Sequence, residues 1–373
     1  MKLELFYQEE DPEIQKALVF AENRLYVARS LIPHAYESYF QESAHYMSAH
    51  TSTAIEGNPL GEEEAMRVLA EGPDPDNPQQ LEKVNMDEAY ELMLQLAVDK
   101  AIRIDEGIIR TINSIVLKGL PASQARNRGR YRKGPSLIVD QATRAVRYMP
   151  PQPVRVPELM GGLVEDVEKW RSSCPGPVAA ALLHFGLVSI HPFEDGNGRT
   201  ARLAADMVLQ LAGWSADGMI SVSQVIHQEI GEYYRVLRAD QGEAYKDVVD
   251  VTGFIRFHTK AVGTAAARLE EKAVRYRKIR DGFVQDMEGD LTERQATGLM
   301  YMIEIGKISS SQFARMTESS QPTAISDLNK LTERGLVVRT GAGKNTRYSL
   351  SPEMQESISR AETEADKERL VSK

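Results

Sequence analysis

His191-Pro192-Phe193-Glu194-Asp195-Gly196-Asn197-Gly198-Arg199-Thr200-Ala201-Arg202 is the stretch from which the rest of this chain can be placed. An apolar run with helical character, Pro177–Ile190, precedes it, and a second, Gly198–Leu211, follows. The spacing therefore predicts a loop slung between two helices. Gly196, Asn197 and Gly198 let the backbone turn sharply and aim amide N–H groups inwards, and with the following helix N-terminus they form an anion cradle. Arg199 and Arg202, three residues apart, project over that cradle from one helix face. Two guanidiniums plus free amides suit a polyphosphate better than a single carboxylate. Asp195 is a hard oxygen ligand placed to hold Mg²⁺ against phosphates. His191, just before the turn, offers a neutral imidazole to take the proton of an attacking hydroxyl. Base, metal ligand, phosphate clamp and charge neutraliser together point to phosphoryl-type transfer. The order differs from the GxxxxGK(S/T) of a P-loop.

Around this stretch the composition is that of an ordinary folded chain. Of 373 residues 42% are apolar and 27% charged, and the length suits two or three domains. No window approaches the eighteen or so uninterrupted apolar residues of a membrane span, and the first residues lack the pattern of a secretory signal. A single cysteine, Cys174, excludes an intramolecular disulfide and reads as structurally incidental. Together these place the chain, by expectation, in the cytoplasm. The net charge of −9 argues against non-specific nucleic-acid binding by the whole surface.

Helical periodicity dominates, so the expected fold is mainly α. Ile14, Ala17, Leu18, Ala21, Leu25 and Ala28 mark a first helix, and a second run from Glu37 towards Ile55 stops at Gly57-Asn58-Pro59. Further helices are predicted over Gly61–Ala70, two over 80–118, Val156–Trp170, Gln224–Asp240 and Val248–Asp286. Leu137-Ile138-Val139 and Ala145-Val146-Arg147-Tyr148, flanking Asp140–Arg144, predict a small hairpin. Arg126, Arg128, Arg130, Arg132 and Lys133 form a basic run that reads as a solvated loop. His184 reads as a packed core histidine. From Leu291, three helices and two strands, Leu336–Arg339 and Arg347–Leu350, around Gly341–Asn345 have the layout of a winged helix-turn-helix. Leu291–Pro352 carries eight basic and five acidic residues, a mild excess below a clear DNA-binding footprint. The expected organisation is an N-terminal helical region (1–103), a core (104–260), a helical linker (261–288), the winged helix (289–352) and a charged tail (353–373).

The stretch 191–202 resembles the Fic family signature, H-P-F-x-(D/E)-G-N-G-R-x-x-R, at every specified position. The resemblance implies a Fic-type helical core with a hairpin flap that moves AMP from Mg·ATP onto a protein hydroxyl. His191 would be the general base, Asp195 the Mg²⁺ ligand and Gly196–Gly198 the α/β-phosphate anion hole. Arg199 and Arg202 would hold the distal phosphates, with Thr200 and Ala201 between them on the nucleotide-binding turn. Ser52-Thr53-Ala54-Ile55-Glu56-Gly57 resembles the family's inhibitory (S/T)-x-x-x-E-(G/N) motif. Glu56 reaching Arg202 would take that arginine from the γ-phosphate. Two roles for Glu56 stay open: a brake, and a base for removing AMP from a target. Leu137, Ile138 and Val139 resemble the flap that holds a target segment by β-augmentation, beside the reading of a purely structural hairpin. Tyr234 is the family's candidate for stacking on adenine, beside plain helix packing. Implied partners are ATP, a protein target and the chain itself, with a homodimer as the family's common assembly. Two alternatives stand. One is a DNA-binding regulator whose core senses nucleotide; the other is transfer of a different group, such as UMP, phosphate or phosphocholine.

Overall fold

The computed structural model describes residues 2–139, 145–286 and 291–358. The chain opens with a short strand, β1 (Glu4–Phe6), and a long helix, α1 (Pro12–Leu31). Asp11 caps α1 by accepting from the amides of Glu13 and Ile14, and Pro12 fits the first helical position, where no donor is needed. Next come α2 (Glu37–Ile55), α3 (Glu62–Glu71) and α4 (Pro78–Leu96), the last again capped by an Asn-Pro pair, Asn77-Pro78. α5 (Glu106–Val116), α6 (Ala122–Ala125), the two-strand hairpin β2 (Ile138–Val139) and β3 (Val146–Tyr148), and α7 (Val156–Ser173) lead to the centre.

The centre is α8 (Gly176–Ile190), every residue of which is buried. A helix apolar all round belongs in the middle of a core, and α7, α9 (Asn197–Leu211) and α12 (Thr252–Asp286) surround it. Between α9 and α12 lie α10 (Val222–Gln228), α11 (Ile230–Gln241) and β4 (Val248–Asp250). The mainly α expectation holds. The differences from the sequence reading are local. The helix expected over Gln224–Asp240 starts earlier and is two, parted at Glu229. Val248–Asp250, expected as helix, is a strand, because its extended backbone finds a parallel partner in β1 (Leu5 opposite Val249). A single helix then runs unbroken through residue 260, where the core–linker boundary was expected.

α1 packs along α12 with Ile14, Leu18, Ala21, Leu25 and Ala28 facing inwards. Arg24 pairs with Glu270 at 2.9 Å and Arg256 with Asp11 at the other end of the same interface.

The C-terminal unit comprises α13 (Glu293–Ile305), β5 (Lys307–Ile308), α14 (Ser310–Met316), α15 (Gln321–Glu333), β6 (Val337–Thr340) and β7 (Arg347–Leu350). β7 lies between β5 and β6 in a three-stranded antiparallel sheet, one strand more than the hairpin expected. This is the winged-helix layout. It rests on the N-terminal helices. Arg315 pairs with Asp87 of α4 at 2.7 Å and also donates to the Leu69 carbonyl of α3, while the Tyr301 ring meets Tyr39 of α2 edge-on. Among the described residues no helix is long and apolar enough to cross a membrane.

Candidate functional site

α8 ends at His191, whose φ of 51° puts a non-glycine residue in the left-handed region. Such backbone strain survives only where the surroundings enforce it. Here the enforcing group is Arg132. Its Nε donates to the His191 carbonyl at 2.8 Å, its Nη2 to the Pro151 and Ile190 carbonyls, and its backbone N–H to the Pro192 carbonyl. Arg132 is only 3% exposed. The basic run read as a solvated loop is thus corrected at this position: the side chain is a buried brace for the loop. Phe193 is fully buried and meets the Tyr131 ring.

The His191 ring faces a cavity of about 430 Å³. Burial drives its pKa down to about 4, Arg132 adding to the effect and the Val188 carbonyl and Glu56 opposing it. The imidazole is therefore neutral at physiological pH. Its Nδ1 is enclosed, which leaves Nε2 as the nitrogen available to the cavity.

Gly196 turns the chain with φ of 74° and becomes the N-cap of α9. The side chain of Asn197 faces away from the cradle and is spent on closing the loop. It accepts from the Phe193 amide at 2.9 Å and donates to the Phe193 carbonyl at 3.0 Å. Its contribution to an anion hole is thus limited to its backbone. Asn113 of α5, which no local pattern singled out, locks the turn from below. It donates to the Asp195 carbonyl and Thr200 hydroxyl and accepts from the Gly129 amide. Thr200 and Ala201 are buried beneath the turn. Asp195 keeps 34% side-chain exposure and accepts from the Gly196 amide and from Arg199, at 3.2 Å from the latter.

Arg199 and Arg202, 3% and 2% exposed, lie side by side on α9. Arg202 is held chiefly from α2. Its Nε donates to the Ser52 hydroxyl at 2.9 Å, and its Nη2 to the Ser52 carbonyl and the Glu56 carboxylate, both at 2.8 Å. Burial pushes the Glu56 carboxyl up, but Arg202, Arg199 and His191 outweigh it and hold the group ionised below the usual carboxylate range. The approach is so close that a Cβ on Gly198 would come within 2.2 Å of the Glu56 carboxylate. Gly57, at φ of 92°, ends the helix just past it.

Arg199 pairs with Glu82 of α4 at 3.2 Å, a contact the sequence did not suggest. The other Glu82 oxygen accepts from the Asn58 side chain at 2.8 Å.

Tyr234 lines the cavity opposite Glu56 and carries the Arg238 guanidinium over its ring at 5.6 Å. Tyr233 is buried, its hydroxyl 3.1 Å from His184 Nε2, and that histidine packs in the core with no solvent contact. Ile138 and Val139 of β2 line the mouth with Arg147 and Tyr148 of β3, whereas Leu137 lies outside the strand, 53% exposed. The expected hairpin tip, 140–144, lies outside the described residues, as does the tail beyond 358.

Mg²⁺ keeps most of its coordination as water and phosphate oxygen and needs only one or two protein carboxylates. Asp195, half-open beside a turn of backbone amides, fits that donor set.

Residues 103–209 match the Fic/DOC family model, and residues 289–351 match a model described as the C-terminal domain of a DIP2311-like transcriptional regulator. A protein adenylyltransferase Fic of Nematostella vectensis is 29% identical over 226 residues, 59% of this chain and 46% of that protein. The Drosophila melanogaster protein of the same name is 36% identical over 112 residues, 30% of this chain and 20% of its own length. This chain therefore spans less than half of the curated relatives it matches. Among solved structures, a Fic family protein from Desulfovibrio desulfuricans G20 superposes with a TM-score of 0.56 at 24% identity, covering 92% of this chain and 98% of that one. A Fic domain containing signalling protein from Bacteroides thetaiotaomicron gives 0.59 at 23% identity, over 69% and 97%. Both likenesses are of fold.

Proposed function

We propose that this chain, which carries a Fic domain over residues 103–209, transfers AMP from ATP to a hydroxyl of a protein target and is held back by Glu56. The observation that carries the reading is a neutral, desolvated His191 facing a cavity that the buried Arg202 also lines, with the buried Arg199 one turn before it on α9. The backbone amides of 196–198 and the Arg199 and Arg202 guanidiniums would take the triphosphate. Asp195 would hold Mg²⁺, which neutralises phosphate charge when bound. His191 Nε2 accepts the proton of a Ser, Thr or Tyr hydroxyl as its oxygen attacks the α-phosphorus. The bond between that phosphorus and the bridging oxygen breaks, and pyrophosphate leaves with the electron pair. Tyr234 would stack on the base. The edge of the 138–148 hairpin would align the target segment.

As the chain stands, Glu56 occupies Arg202, so a triphosphate cannot be gripped at both arginines at once. Intact-mass measurement tests this on wild type, Glu56→Gly, and Glu56→Gly with His191→Ala, each incubated with Mg²⁺ and ATP and the protein as its own target. Gain of one AMP by Glu56→Gly alone supports transfer, brake and base together. Equal gain by the His191→Ala form sinks the proposed base.

A second reading is favoured by one observation, the match of 289–351 to a transcriptional regulator's C-terminal domain. In it the winged helix binds DNA through α15 and the β6–β7 wing, and the Fic domain reports nucleotide. Salt-sensitive DNA binding that is lost on deleting 291–373 supports it.

A further inference from the structure

We propose that Glu82 is a second inhibitory carboxylate, acting on Arg199 as Glu56 acts on Arg202; this rests on the reading of both arginines as phosphate-binding groups. Carboxylates reach the two guanidiniums from two different helices. Arg202 is met from α2 by Ser52 and Glu56. Arg199 is met by Asp195 of its own loop, at 3.2 Å, and from α4 by Glu82, at 3.2 Å. Asp195 already has a proposed role, as the metal ligand. Glu82 has no such role, and its side chain is only 16% exposed, so its charge is poorly screened by water.

The quality of the contact decides what Glu82 is for. A structural clamp would present aligned hydrogen bonds to a buried arginine, as Ser52 does for Arg202. Glu82 does not: among the described residues Nε and Nη1 of Arg199 find no aligned acceptor, although Nη1 is the atom nearest the carboxylate. A buried guanidinium with two unused donors keeps them for a partner not yet there, and orphaned buried donors are otherwise rare. Phosphate oxygens supply such partners. An ion pair without hydrogen bonds is a countercharge that a better-fitting anion displaces.

Glu82 is held in place independently of Arg199. Its second oxygen accepts from Asn58, which also donates to the Gln79 carbonyl and accepts from the Leu60 amide. Asn58 is two residues beyond Glu56, so the loop that leaves the first carboxylate anchors the second. The neighbouring residue on α4, Lys83, is buried and donates to the His50 carbonyl and the Thr53 hydroxyl near the end of α2. Lys83 also feels the Glu82 charge, and this is the competing, purely structural explanation for a carboxylate here.

The discriminating measurement is calorimetric binding of α,β-methylene-ATP and of AMP to full-length wild type, Glu56→Gly, Glu82→Gln and the double variant. Glu82→Gln keeps an acceptor for Asn58 and removes the charge facing Arg199. It should tighten the ATP analogue roughly tenfold, persist in the Glu56→Gly background, and leave AMP unchanged, because only distal phosphates reach the arginines. Glu82→Asp, which keeps a charge beside Lys83 but withdraws it from Arg199, should give part of the gain and covers the case in which Glu82→Gln does not fold. If Glu56→Gly tightens the analogue and neither Glu82 variant does, the proposal falls and the reading of the site stands. If AMP gains as much as the analogue, the effect lies elsewhere and the proposal falls too. If no form, Glu56→Gly included, binds the analogue, the nucleotide reading itself is wrong.

Discussion

Gly198→Ala tests the packing of Glu56 against α9 without recourse to activity. Gly198 sits in the first turn of α9 with helical backbone, where alanine is intrinsically preferred to glycine by up to about 1 kcal/mol. What opposes alanine is a single contact: its Cβ would lie 2.2 Å from Glu56 Oε1, with Arg202 Nη1 next at 3.1 Å. Glu56 is the flexible partner and must swing away, breaking its bond to Arg202. A charge-assisted hydrogen bond contributes about 1.5–3 kcal/mol. Because the Glu56 side chain is 35% exposed, solvent screening trims this to about 1–2 kcal/mol. Set against the helix preference, Gly198→Ala should cost about 1 kcal/mol in the wild-type background and be neutral or slightly stabilising in Glu56→Gly. Thermal melts of the four proteins close the cycle. At roughly 2–4 °C per kcal/mol, the coupling appears as a difference of about 2–8 °C between the two backgrounds. The same shift in both backgrounds would refute the seating of Glu56 against Gly198.

The remaining expectations follow from groups described above. In Glu56→Gly, kcat/KM for transfer should stay flat on acidification well below pH 6.5, because His191 is held near pH 4 and the carboxylate that raises it has gone; an acid limb centred at 6.5 or higher contradicts a desolvated imidazole. His184, His191 and His258 are all buried with depressed pKa values, so the unfolded chain binds more protons than the native one below about pH 6.5. Stability should be fully present above that pH and fall as pH drops towards 4, by up to about 1.4 kcal/mol per unit for each histidine, as read from urea midpoints. Arg132→Met leaves the His191 and Pro151 carbonyls without their donor and should cost about 2–4 kcal/mol of stability along with most of the transfer rate; an unaltered rate would show that Arg132 does not set the His191 backbone. Arg315→Ala removes the ion pair to Asp87 and the bond to Leu69, and hydrogen exchange in α3 should quicken several-fold.

What could be read from the sequence divides along a physical line. Interactions between near neighbours leave a pattern, and those between distant single residues do not. The 191–202 turn is twelve consecutive residues whose types and order suggest the chemistry, and of these the structure places His191, Gly198 and Arg202 at one cavity. The amphipathic helices were visible because burial repeats every three to four residues. Glu82, Asn113 and Arg132 bind across 117, 82 and 59 positions to Arg199, Asp195 and His191, and each is one polar residue on an otherwise unremarkable segment. A basic run points Arg132 to solvent, where arginines in such runs usually lie. β1 and β4 leave no such pattern, because three-residue strands are too short for alternation to register and only their pairing makes them strands.

The union of α1 with α12 also sets the timing of biosynthesis. Arg24 and Glu270 touch across 246 positions of sequence. At the usual 5–20 residues per second, the ribosome needs about 12–50 s to deliver the second after the first. For most of that interval Ile14, Leu18 and Leu25 have no surface of α12 to cover them, and β1 has no β4 beside it. Tyr39 and Phe40 of α2 likewise await Tyr276. The 191–202 turn leaves the ribosome earlier than α10, one of the two helices on which α2 chiefly packs. The N-terminal segment is thus a natural client for a holding chaperone during synthesis.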